Sequence, residues 1–338
     1  MWIERIDGIM TLCAKVEKRD AEKARKMLIS KSIFDKTHSP KSDKSHVYFP
    51  VTSRVRSKLI VSFLDTKLVE FEKPSVTDLP GFDLIGDIAI FEMPKEDAAK
   101  SGKSRTVLEK RIAADIMCQH RNIKTVAVKT GAISGVYRIR KFRVVAGRKS
   151  TITIHKEHGC VFKLDVAKAY FSPRLSFERK RVSGLIGDRE TVMVLFAGVG
   201  PFSIMIAKSH PDSTVISNEL NPFAVKYMKE NIKLNRTFNV IPEPGDARAL
   251  LKKYAGKADR VIMPLPMSSD QFLDVAFTLC KRGGVVHFYW FTDSLDNAEK
   301  KVKKHAKEAG RRIRILGSRV AKAYSPDTIE SVVDFQVT

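Results

Sequence analysis

Cysteine is scarce in this chain. Its 338 residues hold four, Cys13, Cys118, Cys160 and Cys280, and none form a Cys-x-x-Cys pair. That spacing argues against a zinc site and against a disulfide framework. His155 and His158 lie close together, but no cysteine or carboxylate motif completes a metal site around them, so no metal is expected. No apolar run approaches the roughly 18–20 residues of a membrane span. The opening Met1-Trp-Ile-Glu-Arg-Ile-Asp7 has no apolar core of the kind a signal peptide needs. A cytoplasmic protein without a membrane contact is the expectation. Acid is also in short supply: 38 Asp and Glu stand against 61 Lys and Arg, for a net charge of +23. An excess that large implies a polyanionic partner, most simply nucleic acid.

What is present suggests three segments. Residues 1–70 read as a small α+β module, with strands at Leu12–Val16 and Val47–Val51 and a helix at Asp20–Ser30 capped by Asp20. Thr37–Lys44 reads as a loop and Glu72–Pro80 as a linker. A middle α+β domain over 76–178 opens at Phe82–Phe91. It contains one helix near Ser104–His120 and a strand at Val161–Val166. From Arg179 to the end, strand and helix alternate. Strands are predicted at Val192–Phe196, Val215–Asn218, Asn239–Pro242, Arg260–Met263 and Val285–Trp290. Helices are predicted at Gly198–Ser209, Pro222–Asn235 and Gln271–Lys281. Alternation of this kind gives a doubly wound α/β sheet. Arg312–Lys322 and Glu330–Val337 then read as a closing antiparallel hairpin.

The most informative run is Val194-Leu-Phe-Ala-Gly-Val-Gly-Pro-Phe-Ser-Ile204: a buried strand, a Gly-x-Gly turn and a helix start. Glycine lets backbone N–H groups approach a ligand closely. Glu219 closes the next strand-like run, about 20 residues on, where an acid is placed to accept ribose hydroxyls. A dinucleotide fold wants a third glycine, but that position is Ser203. The turn therefore fits S-adenosylmethionine better than a nicotinamide cofactor.

Several runs together resemble the archaeal and eukaryotic tRNA (guanine-37 N1)-methyltransferases. They are Ser134-Gly-Val-Tyr-Arg138, Phe162-Lys-Leu-Asp-Val166, Tyr170-Phe-Ser-Pro-Arg-Leu-Ser176 with Glu178-Arg179, and Phe196-Ala-Gly-Val-Gly-Pro-Phe202. Glu219-Leu-Asn-Pro222, Glu230-Asn-Ile-Lys-Leu-Asn235, Gly245-Asp-Ala-Arg248 and Leu265-Pro266 continue in family order. The resemblance covers roughly residues 80–338, and residues 1–70 share it more weakly. It implies a class I (Rossmann-like) S-adenosylmethionine methyltransferase sheet behind two small α+β domains. The implied reaction is methyl transfer to N1 of the guanosine beside the anticodon of tRNA, by a chain with no implied protein partner. Relatives that act on a wyosine precursor, or transfer an aminocarboxypropyl group, are alternatives on the same nucleoside. A tRNA-binding protein with a decayed site is a third.

The resemblance also implies roles. Glu178 would be the general base that removes the N1 proton, and Arg138 the partner of O6, where charge develops. Arg174, Phe196, Gly198, Gly200, Glu219, Asp246 and Pro266 would hold the methyl donor. Tyr170, Arg140, Arg179, Arg181 and Pro264 would meet the RNA. Local readings compete. Arg174 and Glu178 are one turn apart and could form a surface ion pair. Arg138 and Arg140 could share a strand face that binds phosphate. Asp246 could be a helix cap, and Tyr170 and Phe171 could be core. A base facing an apolar wall would have a raised pKa. Basic runs at Lys103–Arg111, Arg138–Lys149, Arg179–Arg181 and Lys301–Arg314 would give salt-sensitive RNA affinity. Two departures from the family stand out: an apolar Val194 or Leu195 where an acid is usual, and Pro264 where the family has asparagine. Proline has no side-chain amide to orient a base; a carbonyl of Met263 or Pro264 would have to substitute.

Overall fold

A computed structural model describes residues 9–35, 40–68, 79–93, 102–325 and 327–338. The chain parts into two compact units, Met1–Leu79 and Pro80–Thr338. In the first, β1 (Ile9–Glu17), β2 (Lys41–Ser42), β3 (His46–Pro50) and β4 (Ser62–Leu68) form an antiparallel sheet in the order β2-β3-β1-β4. Helix α1 (Ala21–Ser30) sets Ala24 and Leu28, one turn apart, against Ala14, Val16, Phe49 and Val51. Asp20 occupies the N-cap position, but its side chain makes no capping bond. The short β2 lies inside the expected loop. Strand β4, whose mixed Ser-Phe-Leu-Asp-Thr-Lys-Leu carries little signal, is recruited by pairing along β1. Residues 37–39 of the expected loop and 72–78 of the expected linker lie outside the described residues.

The second unit contains both the middle and the C-terminal segments that the sequence suggests dividing near residue 178. The run expected at Phe82–Phe91 is a hairpin: β5 (Phe82–Ile85) and β6 (Ile88–Phe91) fold back at Gly86-Asp87. Only glycine fits here. Gly86 has φ +59°, and a Cβ would stand 2.2 Å from Thr153 Oγ1. Strands β6 and β7 (Thr125–Ser134) are parallel and need a crossover, which α2 (Gly102–Gln119) supplies. Strand β8 (Ile139–Gly147) completes this sheet, and β9 (Ile152–Glu157) with β10 (Cys160–Asp165) forms a separate ribbon.

The large sheet has the order β13-β12-β11-β14-β15-β17-β16. Its strands are β11 (Thr191–Val194), β12 (Thr214–Glu219), β13 (Val240–Pro244), β14 (Ala258–Met263), β15 (Cys280–Thr292), β16 (Ile313–Ser325) and β17 (Thr328–Val337). The first five in sequence pair in parallel, and β17 with β16 forms the expected antiparallel hairpin beside β15. Strand β11 is apolar and buried from Val192 to Val194, as suits a strand covered on both faces. Val192 and Val194 join the core under α3 (Ser176–Ser183), α4 (Pro201–Ser209) and α5 (Pro222–Asn235). Met193 and Leu195 join the opposite core, under α6 (Leu251–Tyr254), α7 (Leu273–Leu279) and α8 (Leu295–Glu308). Helix α8 overlaps the basic run Lys301–Arg314, for which no element is predicted from the sequence. Ala298, Val302 and Ala306 give it a one-residue-wide apolar stripe, and Ser294 caps it by accepting from the Asn297 N–H.

Two asparagines in α5 explain how the ribbon is attached. Asn231 and Asn235 sit one turn apart on one face. Asn231 accepts from the Lys163 N–H and donates to the Lys163 and Val199 carbonyls; Asn235 does the same for both backbone groups of Val161. The ribbon is also tied to α3 by a buried ion pair. Arg179 donates to both carboxylate oxygens of Glu157, at 2.5 and 2.7 Å. Burial alone would raise the Glu157 pKa, but hydrogen bonds from His155 and Arg179 and the Arg179 charge carry it down to about 2. A carboxyl whose folded pKa is depressed stabilises above its unfolded value and loses that contribution as pH falls through the folded one. The Glu157 contribution should be complete above about pH 4.5 and disappear towards pH 2. Glu157→Gln should cost about 3–5 kcal/mol at neutral pH and flatten the loss of stability between pH 4.5 and 2. Urea denaturation across that pH range checks both.

Candidate active site

The ends of four parallel strands converge at the point where strand order reverses around β11, the usual ligand crevice of an open α/β sheet. Beyond β11 the backbone turns sharply, with positive φ at Phe196 (+55°), Gly198 (+59°) and Gly200 (+89°). A Cβ on Gly200 would also meet Met228 Cγ at 3.0 Å and Ile204 Cδ1 at 3.2 Å. Beside Gly198, by contrast, the nearest atom to such a Cβ is the Tyr170 carbonyl at 3.6 Å. Glu219, at the end of β12, fastens the turn: its carboxylate accepts from the N–H groups of Gly198 and Asn221, each at 2.7 Å. Burial pushes its pKa up, and those N–H donors pull it back. Asn218 donates to the carbonyls of Glu243 and Gly245, fixing the turn that carries Asp246. Asp246 is exposed and accepts from the Arg248 N–H, so it does cap a short helical turn. Phe196 packs edge-on against Phe272, with the Arg248 guanidinium 4.3 Å from the same ring.

After β14, the Met263 carbonyl is taken by the Leu265 N–H and the Ser269 hydroxyl, and that of Pro266 by the Phe291 N–H. Arg138 arrives at this loop from the middle segment, its guanidinium donating to the Ser268 hydroxyl. It does not share a strand face with Arg140. Arg138 lies in the turn before β8 with φ +51°, while Arg140 is on β8, 3.6 Å from Glu92.

Glu178 lies on α3 and is only 3% exposed. Both its oxygens accept from Arg181 Nε, at 3.1 and 2.9 Å, and Oε2 also accepts from the Tyr289 hydroxyl at 2.9 Å. Arg181 continues to Asp334 at 2.8 Å, and Asp334 to His287 at 2.6 Å. Burial would raise the Asp334 pKa; its bond to His287 and the charges of His287 and Arg181 hold it near 2. Three expectations are corrected here. No Arg174–Glu178 pair forms, because Arg174 donates to Asp83 on β5 at 2.5 Å. The acid faces a cation and a phenol, not an apolar wall. Arg179 is 1% exposed and spent on Glu157 and the Ser172 carbonyl, and Arg181 is spent on two carboxylates, so neither presents a free guanidinium to RNA. Of the basic runs, Arg105 and Arg143 are drawn onto the buried Glu109, while Lys110, Arg111 and Lys180 are exposed. Tyr170 is 48% exposed, and Phe171 is core, against His155 and Phe162.

Sequence reasoning missed Tyr289, Asp334 and Ser268. The first two carry a faint signal, Tyr289 as a hydroxyl in the mostly apolar second half of β15 and Asp334 as a charge between Val333 and Phe335 of β17. Ser268 carries none, since only the fold brings it to Arg138.

A mostly parallel sheet closed by an antiparallel hairpin, with a glycine turn at its central strand and an acid at the next strand's end, has the architecture of a class I methyltransferase. Residues 153–316 match the TRM5/TYW2 methyltransferase domain, 13–59 the tRNA methyltransferase 5 N-terminal domain and 69–151 the TYW2 N-terminal domain. The chain is 36% identical to the tRNA (guanine(37)-N(1))-methyltransferase Trm5b of Pyrococcus abyssi, over 97% of this chain and 100% of that one. It superposes on a solved complex of aTrm5 with tRNALeu at TM-score 0.72 and 28% identity, covering 97% and 100% of the two chains. With M. jannaschii TYW2 in complex with AdoMet the values are 0.58 and 30%, over 76% and 100%. The chain belongs to the TRM5/TYW2 methyltransferase family.

Gly200→Ala combines a left-handed backbone with a contact at 3.0 Å. It should cost about 1–3 kcal/mol, read as a lowered urea midpoint, whereas a stability equal to the parent would show that the turn relaxes freely.

Proposed function

We propose that this chain transfers a methyl group from S-adenosylmethionine to N1 of guanosine 37 in tRNA. The observation that carries this reading is the buried Glu178, held by Tyr289 and Arg181, in a fold that also delivers Arg138 to the loop after β14. The strand-end donor set suits the methyl donor. Glu219 would accept from ribose hydroxyls and Asp246 from the adenine amino group. The open side of Gly198, with Phe196 and Gly200, would take the methionine portion. When bound, S-adenosylmethionine supplies an electrophilic methyl group on a sulfonium.

N1 of neutral guanine carries a proton, so its lone pair becomes available only as that proton leaves. Glu178 would accept it. As it does so, charge grows on O6, and Arg138 would exchange Ser268 for that oxygen. A preoriented cation there stabilises the developing charge without solvent reorganisation. Pro264 leaves orientation of the guanine to backbone. With the Met263 carbonyl occupied, the Pro264 carbonyl would take the place of the family's asparagine side chain. The exposed Lys110, Arg111 and Lys180 would meet phosphates, and the target base would have to leave its stack to reach the site.

Labelled S-adenosylmethionine with unmodified transcripts tests the reading: methylation of a transcript with G37 and of none carrying another base there. Glu178→Gln should lower the single-turnover rate by about 10²–10⁴-fold, with tRNA affinity nearly unchanged. A variant that keeps the parental rate would leave Glu178 with a structural role only.

A further inference from the structure

Among the buried acids that the mechanism above leaves unused, one has a carboxyl oxygen without a hydrogen bond. Glu330, on β17, is 3% exposed. Its Oε1 is fully buried, with no hydrogen-bond partner among the described residues. Isolated polar atoms of this kind are costly and rarely retained without a use.

Its place in the sheet is specific. Residues two apart on a strand face the same side. Val332 joins the core under α3, so Glu330, Val332 and Asp334 look towards that helix, while Val333 and Phe335 look away. Across β15, their partners are Phe291, Tyr289 and His287. Glu178 descends onto the middle of this face, at Tyr289. Asp334 stands at one side, satisfied by Arg181 and His287. Glu330 stands at the other side, next to the end of β15 where the Phe291 N–H reaches Pro266. The charged groups around it are Lys322, opposite on β16, and Glu178 on α3, with the Tyr170 hydroxyl also within its field.

We propose that Glu330 is a second carboxyl of the active site, a positioning residue whose charge acts on Glu178 across the shared sheet face and so sets its strength as a base. The inference rests on the reading of Glu178 as that base. Two carboxyls in one poorly solvated space do not both ionise freely. Arg181 and Tyr289 donate to the Glu178 carboxyl, whereas Glu330 Oε1 has no donor among the described residues. Burial, opposed by Lys322 and reinforced by Glu178, raises the Glu330 pKa to about 7. As pH rises through that value Glu330 becomes an anion. Its field then favours the protonated form of Glu178, which makes Glu178 a stronger acceptor for the N1 proton.

Single-turnover methyl transfer by the full chain, measured against pH with saturating tRNA, tests this. The parent should show a rise with an inflection near pH 7. Glu330→Gln should lose that inflection and run several-fold slower on the alkaline side, with tRNA and S-adenosylmethionine affinities unchanged. Lys322→Met removes the opposing cation and should move the inflection to higher pH, which keeps the test open if the Gln variant folds poorly. An unchanged profile in Glu330→Gln, or an inflection unmoved in Lys322→Met, would overturn the proposal for Glu330. Parental activity in Glu178→Gln would instead overturn the reading of the base, so the two failures are separable.

Discussion

The site depends on one chain of hydrogen bonds through the interior: Tyr289 to Glu178, Glu178 to Arg181, Arg181 to Asp334, and Asp334 to His287. A carboxylate without such partners would be too costly to bury. With them, a short eight-residue helix, α3, is pinned to β15 and β17 on the sheet's antiparallel side. The same bonds fix the Glu178 carboxyl in place, which is what a general base requires before any substrate arrives. Stability and chemistry therefore draw on the same bonds, and an exposed ion pair with Arg174 would have supplied neither.

Around that chain, the fold brings together groups far apart in sequence. The glycine turn and Glu219 lie on adjacent strands and clamp each other. Arg138 comes from a different sheet and reaches the β14 loop only because its left-handed turn aims it there. The paired asparagines of α5 and the Arg179–Glu157 ion pair lock the ribbon to the large sheet. This is why residues 80–338 pack as one unit although the sequence suggests two segments.

Much of the fold was legible in the sequence because its signals are local. Strand alternation, the Gly-x-Gly turn and Pro222 at a helix start each mark an element through two or three neighbouring residues. The boundaries of α5 match the pattern residue for residue. Helix α8 was harder, since its apolar stripe is one residue wide in a lysine-rich run. The site was legible only in part. Glu178 and Arg138 stood out through the ordered motifs, but their partners could not be read. Arg174 and Arg181 flank Glu178 at helical spacing on either side, and only the packing of α3 on β15 and β17 decides between them. Arg179 and Arg181 likewise look like RNA contacts until burial shows both guanidinium groups turned inward.

The assignment of Glu178 and Arg138 to the two atoms that change charge is tested most directly by a structure of the chain with tRNA and a non-reactive analogue of S-adenosylmethionine. Guanine N1 is expected within about 2.6–3.2 Å of a Glu178 oxygen, with Arg138 released from Ser268 onto O6. A guanine whose N1 faces another acceptor, with Glu178 still enclosed by Arg181 and Tyr289, would contradict it.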